Sequence, residues 1–170
     1  PGIHYRLGRV FLARARPPLS EADAESSAAR EFEQELQIDP TNADAAYELG
    51  EIRRKSGDLD KARELFELAV RSYPEFEQGL VGLGRVLVAQ GKADLALPPL
   101  TKAVALNPED DVAWFQLYQA HRALGHLEEQ EKAQAEFQRL RSRKREQERL
   151  DLLRQHVVTQ QELDAQATPP

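Results

Sequence analysis

Apolar and small residues recur along the chain with the spacing of an α-helix, in segments that come in pairs. In one segment Ala46, Leu49 and Gly50 fall at positions i, i+3 and i+4, which share one face of a helix. The next segment builds such a face from different residues: Ala62, Phe66 and Ala69. The pattern therefore predicts two consecutive helices, each with one face that packs closely on a neighbour.

This pair of helices repeats every 34 residues. Three prolines at that spacing would each end a second helix, because proline lacks a backbone donor and restricts the residue before it: Pro40, Pro74 and Pro108. Glycines stand where the chain must turn between the two helices: Gly57, Gly91 and Gly125. A fixed period of this length indicates a stacked array, so the sequence predicts an all-α solenoid.

The repeated markers resemble the tetratricopeptide repeat, a helix–turn–helix unit with a large residue, Leu-Gly, Ala, an aromatic residue, Ala and Pro at set positions. Two units carry nearly the whole pattern: Ala46, Leu49, Gly50, Gly57, Ala62, Phe66, Ala69 and Pro74, then Leu80, Leu83, Gly84, Gly91, Ala96, Leu100, Ala103 and Pro108. The resemblance implies a right-handed superhelical solenoid with units at about 1–40, 41–74, 75–108 and 109–140. It leaves function open, since the family is defined by its scaffold.

The first unit is irregular. Its two helices are separated by eight more residues than in the next unit, which places an insertion around residues 13–20. Ser20 and Asp23 resemble a capping box and predict that a longer second helix starts there. Glu35 stands where the other units carry a small alanine. The insertion is either a tolerated surface loop or a lip over a binding groove.

The last unit departs from the pattern after Gly125. No Gly or Pro occurs from Glu128 to about Gln161, which predicts a long terminal helix with an extension over 141–163, followed by a disordered tail over 164–170. Four residues are expected to dock this helix on the array: Leu127, Ala133, Phe137 and Leu140. A later stripe is either part of a solvating cap or a surface that pairs with a second chain: Leu150, Leu153 and Val157.

Composition excludes several classes of protein and partner. A net charge of −6 repels a phosphate backbone, so we expect no nucleic acid partner. The chain has no Cys and hence no disulfide or thiolate site, and it has no apolar run of the roughly 20 residues that a membrane helix needs. These facts allow a cytoplasmic or a periplasmic location. A chain without any Met is expected to be a fragment or a processed product.

No pattern of residues points to an enzyme, a cofactor or a metal. The histidines are scattered, and no two are four residues apart: His4, His121, His126 and His156. Neither a phosphate-binding glycine loop nor a nucleophile elbow is present. We therefore expect no catalytic residues, no cofactor and no metal site.

The resemblance implies a groove on the inner face of the superhelix, lined by the first helix of each unit. Residues three before, one after and four after the Leu-Gly glycine share one stripe of that helix. Tyr118 takes the place of this glycine in the fourth unit. In the four units the stripe residues are Tyr5, Arg9 and Leu12; Tyr47, Glu51 and Arg54; Val81, Arg85 and Val88; and Phe115, Gln119 and Arg122. Four Arg and one Glu give the stripe a charge of +3, and Arg beside aromatic rings is typical of peptide-binding surfaces. The alternative is a solvated face in which Glu51 pairs with Lys55.

The expected function is a protein–protein interaction scaffold that binds a peptide segment or partner protein, possibly acidic, in this groove. A clamp for the carboxylate tail of heat-shock chaperones is not expected, because only one of the matching positions is basic: Tyr5, Arg9, Glu48, Gln78 and Gly82. The alternative is a structural or self-assembly module that stacks on neighbouring repeats or forms a homo-oligomer through the C-terminal helix.

Overall fold

The computed structural model describes residues 2–13 and 20–167, with side chains through residue 155 except that of residue 21. Throughout these ranges the chain forms helices and no strands. The helices are α1 Ile3–Ala13, α2 Glu21–Ile38, α3 Ala43–Lys55, α4 Leu59–Ser72, α5 Glu77–Ala89, α6 Ala93–Leu106, α7 Asp111–Leu124 and α8 Leu127–Ala167. The predicted all-α architecture is confirmed.

The helices pack as consecutive antiparallel pairs, and each pair stacks on the next. The closest packing joins α1 to α2, α3 to α4, α5 to α6 and α7 to α8, and neighbouring pairs meet through α2–α3, α4–α5 and α6–α7. We call α1, α3, α5 and α7 the first helices and the others the second helices. This order is the helix-pair solenoid that the 34-residue period predicts.

The turns and caps follow the local sequence. Gly57, Gly91 and Gly125 have φ angles of +83°, +73° and +72°, the left-handed conformation that lets the chain reverse between two helices. The Ser20 hydroxyl accepts from the amide of Asp23 at 3.1 Å and donates to its carboxylate at 2.7 Å. This cap starts α2, whose 18 residues exceed the 14 of α4, as the sequence predicts.

Glycines in the first helices allow side chains of the second helices to reach the backbone. A Cβ atom on Gly50 or Gly82 would lie 2.9 Å or 2.7 Å from the Phe66 ring, and one on Gly84 would lie 2.3 Å from Cγ of Leu100. Phe66 and Leu100 are fully buried. The Phe66 ring thus fits between a glycine of its own unit and one of the next unit, which explains why small residues occur there.

Two prolines lie inside α6 without delaying its start. Pro98 and Pro99 suggest from sequence a late start or a kink, yet α6 begins at Ala93 and continues through both. The carbonyls that lose their helical donors belong to Asp94 and Leu95, four residues earlier, and both of these residues are exposed. Water can therefore satisfy these carbonyls. The expected late start does not occur, and the alternative, a kink, stays a prediction.

The long C-terminal helix is confirmed, with two changes. Ala133 and Leu140 are buried against the array, but Leu127, the first residue of α8, is 68 % exposed because no other described helix covers it there. The helix continues to Ala167, past the expected boundary at 163, since no Gly or Pro interrupts it. Residues 168–170 of the expected tail lie outside the described residues.

Part of the first-unit insertion, residues 14–19, also lies outside the described residues, so the choice between a loop and a lip stays open. Within the described chain, no helix combines the length and apolar character required to span a bilayer.

Candidate functional site

The first helices line the inner side of the array. Direct contacts join α3 to α5 and α5 to α7, whereas no comparable contact joins consecutive second helices in the described chain. A stack whose members approach more closely on one side curves towards that side. The concave surface is therefore formed by the first helices, which carry the stripe predicted from sequence.

Glu51 lies at the centre of the predicted stripe and holds two arginines. Its carboxylate accepts from Nη2 of Arg54 at 3.0 Å and from Nη2 of Arg85 at 2.9 Å. Arg85 is 34 residues after Glu51, so the pair joins the same register position in α3 and α5. Lys55, which the alternative pairs with Glu51, lies 2.8 Å from Glu25 on α2. The cluster fixes two guanidinium groups on the concave surface.

Arg9 is held at the α1 end of the groove. Its Nη1 lies 3.1 Å from the Tyr5 hydroxyl and 3.0 Å from Oε1 of Glu48 on α3. The hydrogen bond to Tyr5 and the charge of Glu48 raise the pKa of Arg9. Burial raises the pKa of Glu48, and Arg9 opposes that shift. Arg9 and Glu48 form an ion pair that links two units.

Glu48 lies beside the predicted stripe but is not one of its residues. It adds a second carboxylate to the four arginines, so the local charge is +2 rather than the predicted +3. Arg9 and Glu48 are 39 residues apart, whereas matching positions of these two units are 42 apart because of the insertion, as Gly8 and Gly50 are. Their contact therefore depends on the offset between neighbouring helices. The spacing of residues within one helix does not indicate how far neighbouring helices are shifted relative to each other.

The predicted aromatic residues contribute to packing as well as to the surface. The Tyr5 ring centroid lies 6.0 Å from Phe32, that of Tyr47 lies 5.4 Å from Phe76, and that of Phe115 lies 5.2 Å from Phe137. All three predicted rings are half-buried. Burial, followed by the charge of Glu51, raises the pKa of Tyr47, so its phenol stays neutral at physiological pH.

Val81 belongs to the predicted stripe by its position but is not exposed. It is only 5 % exposed and joins the core cluster between α5, α6 and α7, because α5 is enclosed by helices on both sides. The other predicted residues keep exposed surface: Leu12, Val88 and Gln119 are half-buried, and Arg122 is exposed near the end of α7. The exposed surface of the predicted stripe is therefore interrupted at Val81, in the third unit.

Glu35 has a structural role that could not be predicted from its position, where the other units carry alanine. Its buried carboxylate accepts hydrogen bonds from the amides of Gly2 and Tyr5 and from the Asn42 side chain. Burial alone raises the pKa of Glu35, but the bonds from Gly2 and Tyr5 outweigh it and hold the pKa below its usual value. Glu35 thereby caps the start of α1 and positions Tyr5.

Two histidines meet across the Gly125 turn. Nδ1 of His121 lies 3.4 Å from Nδ1 of His126, and burial together with the charge of His126 lowers the pKa of His121. The two residues are five apart, so a search for helical i, i+4 pairs does not find them. In the described part of the chain, no three or more His, Cys, Asp or Glu residues converge into a group that could hold a metal ion.

Glu77 and Asp110 bring two carboxyl groups together where α5 and α7 begin. Burial raises the pKa of Glu77 from its ordinary 4.5, and Asp110 raises it further, to about 7. Asp110 is itself fixed, since its side chain accepts from the amide of Val112 at 2.9 Å and caps α7. Glu77 is therefore partly protonated at neutral pH.

We expect Glu77→Gln to stabilise the protein more at pH 8 than at pH 4. The folded-state pKa of Glu77 lies above the unfolded value, so its favourable contribution is complete below about 4.5 and is lost as pH rises through about 7. Glutamine stays neutral and avoids that loss. Thermal unfolding of both proteins at the two pH values measures the difference, with Glu128→Gln on exposed α8 as the control. An equal effect of Glu77→Gln at both pH values would contradict the prediction.

Comparison with known proteins identifies the repeats. Two sequence profiles described as tetratricopeptide repeat match the chain, one over residues 19–79 and the other over residues 81–144. No curated protein matches the chain significantly.

Solved structures share the architecture. MamA superposes with a TM-score of 0.71 at 18 % identity, over 84 % of this chain and 79 % of that one. A MamA fragment from Desulfovibrio magneticus RS-1 gives a TM-score of 0.69 at 23 % identity, over 82 % and 76 %. YrrB, described as a TPR protein with an unusual peptide-binding site, gives a TM-score of 0.71 at 26 % identity, over 82 % and 69 %. The first two likenesses concern the fold alone.

Proposed function

The chain belongs to the tetratricopeptide repeat family and is a protein-interaction scaffold, and we propose that its concave groove binds an acidic peptide segment of a partner protein. The observation that carries the proposal is the cluster of Arg54, Glu51 and Arg85, which holds two guanidinium groups on adjacent first helices. The peptide-binding site of YrrB, which has a similar fold, also supports it.

The charge of the groove favours a partner segment with carboxylates. One carboxylate between Arg54 and Arg85 leaves that cluster with a net positive charge, and Arg122 is exposed farther along the groove. The whole chain has a charge of −6, so this surface differs in sign from the average surface. Such a local field attracts an acidic segment and orients it, while Arg can bind a carboxylate through two donors.

The half-buried aromatic rings would supply apolar contact beside the arginines. Tyr47 is held by packing against Phe66 and Phe76, so its ring loses little freedom when a ligand binds. The groove thus offers fixed charges and a fixed ring in α3 and α5. An extended or helical segment of alternating acidic and apolar residues fits this chemistry.

We expect peptides selected against this protein from a random library to be enriched in Asp and Glu, and Arg85→Gln to weaken their binding by roughly 10- to 100-fold. The loss corresponds to one charge-assisted hydrogen bond of about 1.5–3 kcal/mol. Fluorescence anisotropy with a selected peptide measures the affinity. Binding should also weaken as salt concentration increases, because the groove charges are partly exposed.

The matched control is Arg149→Gln, which removes the same charge from an exposed arginine on α8, and it should leave the affinity unchanged. Circular dichroism confirms that each variant is folded. If Arg85→Gln and Arg149→Gln bind the selected peptide equally, or if selection yields no acidic bias, the groove assignment fails.

Self-assembly through α8 is the alternative function. Leu150 and Leu153 are both exposed on the part of α8 that follows Leu140, which is buried against the array. The side chain of Val157, the third member of the predicted stripe, lies outside the described residues. A chain that sediments as a monomer at high concentration would exclude this alternative.

A further inference from the structure

The two histidines at the turn between α7 and α8 have the spacing of two ligands on one metal ion. Nδ1 of His121 lies 3.4 Å from Nδ1 of His126, and the ring centroids are 5.6 Å apart. This separation of the nitrogens is longer than an ordinary hydrogen bond. Two Zn–N bonds of about 2.0–2.1 Å at a tetrahedral angle place their nitrogens about 3.3–3.4 Å apart. The pair therefore has the geometry of a chelate.

The backbone of the turn holds the two histidines in place. Gly125 adopts the left-handed conformation with a φ of +72°, and the amide of His126 donates to the carbonyl of His121 at 3.0 Å. The hydrogen bond that closes the turn thus joins the same two residues whose rings face each other. A preformed pair of ligands binds an ion more tightly than two histidines of a flexible chain, because less freedom is lost on binding.

The turn itself does not require histidine at these two positions. The turn after α3 has the same hydrogen bond, from the amide of Asp58 to the carbonyl of Arg53 at 2.9 Å. The turn after α5 has it from Lys92 to Leu87 at 2.8 Å. Arg, Leu and protonated Lys have no lone pair to offer a metal ion, so neither of these pairs is a chelate. Among the three glycine turns described, the one after α7 alone carries two imidazoles.

The surroundings keep the pair able to coordinate a cation. His126 is exposed, so an ion can reach it from solvent. Burial, followed by the charge of His126, lowers the pKa of His121, which favours the neutral imidazole that binds metals. Glu129 acts in the opposite direction on this pKa, so its negative charge is felt at the pair and also attracts a cation. Arg122 follows His121 in the sequence and opposes that attraction.

Imidazole ligands determine the class of metal ion. Neutral imidazole nitrogen suits Zn²⁺, Cu²⁺ and Ni²⁺, whereas Mg²⁺ and Ca²⁺ prefer oxygen ligands. No third His, Cys, Asp or Glu converges on the pair in the described chain, so water would fill the other coordination positions. A site with two protein ligands binds more weakly than a structural zinc site with four.

We propose that His121 and His126 form a binding site for one divalent transition-metal ion, Zn²⁺, Cu²⁺ or Ni²⁺, which links the end of α7 to the start of α8. The ion would reinforce the backbone hydrogen bond across Gly125. The folded chain offers both nitrogens at the right distance and the unfolded chain does not, so binding would stabilise the fourth unit.

Calorimetric titration of Zn²⁺ into the untagged full chain tests the site, since a polyhistidine tag would itself bind the ion. We expect one ion per chain. His121→Gln and His126→Gln should each weaken the affinity by at least about tenfold, because each removes one of the two ligands. The matched control is His4→Gln, which removes a histidine whose Nδ1 lies 2.7 Å from a carboxylate oxygen of Glu31, and it should leave the affinity unchanged.

Thermal unfolding supplies a second measurement. Excess Zn²⁺ should raise the melting temperature by about 3 °C or more, and Mg²⁺ should not. The rise should be lost in His121→Gln and should diminish as the pH is lowered from about 8 to about 5, because protons compete for the imidazole nitrogens.

Three results would overturn the proposal. One is the absence of Zn²⁺ binding at concentrations up to about 1 mM. Another is equal affinity in His121→Gln, His126→Gln and the parent protein, provided that circular dichroism shows all three to be folded, since the ion would then bind elsewhere. The third is an equal effect of Mg²⁺, which would show a general response to divalent charge rather than coordination by imidazole.

Discussion

Phe66→Ala should lower the free energy of unfolding by about 3–5 kcal/mol, the range for removing a fully buried ring. The Phe66 side chain is completely buried and fits against Gly50 of its own unit and Gly82 of the next. Alanine would leave a cavity between two units rather than within one. Since repeats couple only to their neighbours, the unfolding transition should also broaden.

Urea unfolding followed by circular dichroism measures both effects. Phe66→Leu is the matched control, because Leu100 occupies the corresponding position of the next unit, and it should cost less than about 1.5 kcal/mol. Leu95→Ala on the exposed side of α6 should have little effect. A loss below about 1 kcal/mol in Phe66→Ala would show that the ring does not hold the two units together.

Gly84→Ala should destabilise the protein by about 1–3 kcal/mol even though alanine is the better helix former by about 1 kcal/mol. An added Cβ would lie 2.3 Å from Cγ of Leu100, which is fully buried and therefore cannot move aside. The steric cost exceeds the gain in helix propensity. Thermal and urea unfolding measure the sign of the net effect.

The same substitution in a Leu100→Ala background isolates the cause. With the leucine side chain removed, Gly84→Ala should become neutral or stabilising, and the double-mutant cycle should show strong coupling. If Gly84→Ala stabilises the parent protein, the close approach of α5 and α6 does not limit this position.

The fold could be predicted in detail because its signals are local and repeated. The glycines at the turns, the prolines after the second helices and the Ser20 cap each act within a few residues, and the structure contains the turns and caps that they indicate. The start of α6 at Ala93 was not predicted, because the two residues whose carbonyls lose their donors to Pro98 and Pro99 are exposed, and exposure depends on tertiary packing.

The groove was harder to predict because its contacts cross between units. Glu51 and Arg85 are one period apart, so the register alone placed them in the same stripe. The pair of Arg9 with Glu48 needs the offset between helices, and the burial of Val81 depends on helices packed on both sides of α5. Glu35 receives its two backbone donors from Gly2 and Tyr5, at least 30 positions earlier, so its role at the start of α1 is not apparent from the local pattern.

The part of helix α8 beyond the array determines how far its C-terminal end lies from the groove. Among its described side chains, which end at residue 155, the last one buried against the array is Leu140, and the backbone continues as a helix for 27 further residues to Ala167. At 1.5 Å per residue this segment is about 40 Å long. Ion pairs three residues apart, such as Arg149 with Glu146, support it along the way. A molecule bound near the far end of this segment would therefore lie tens of ångströms from one bound in the groove.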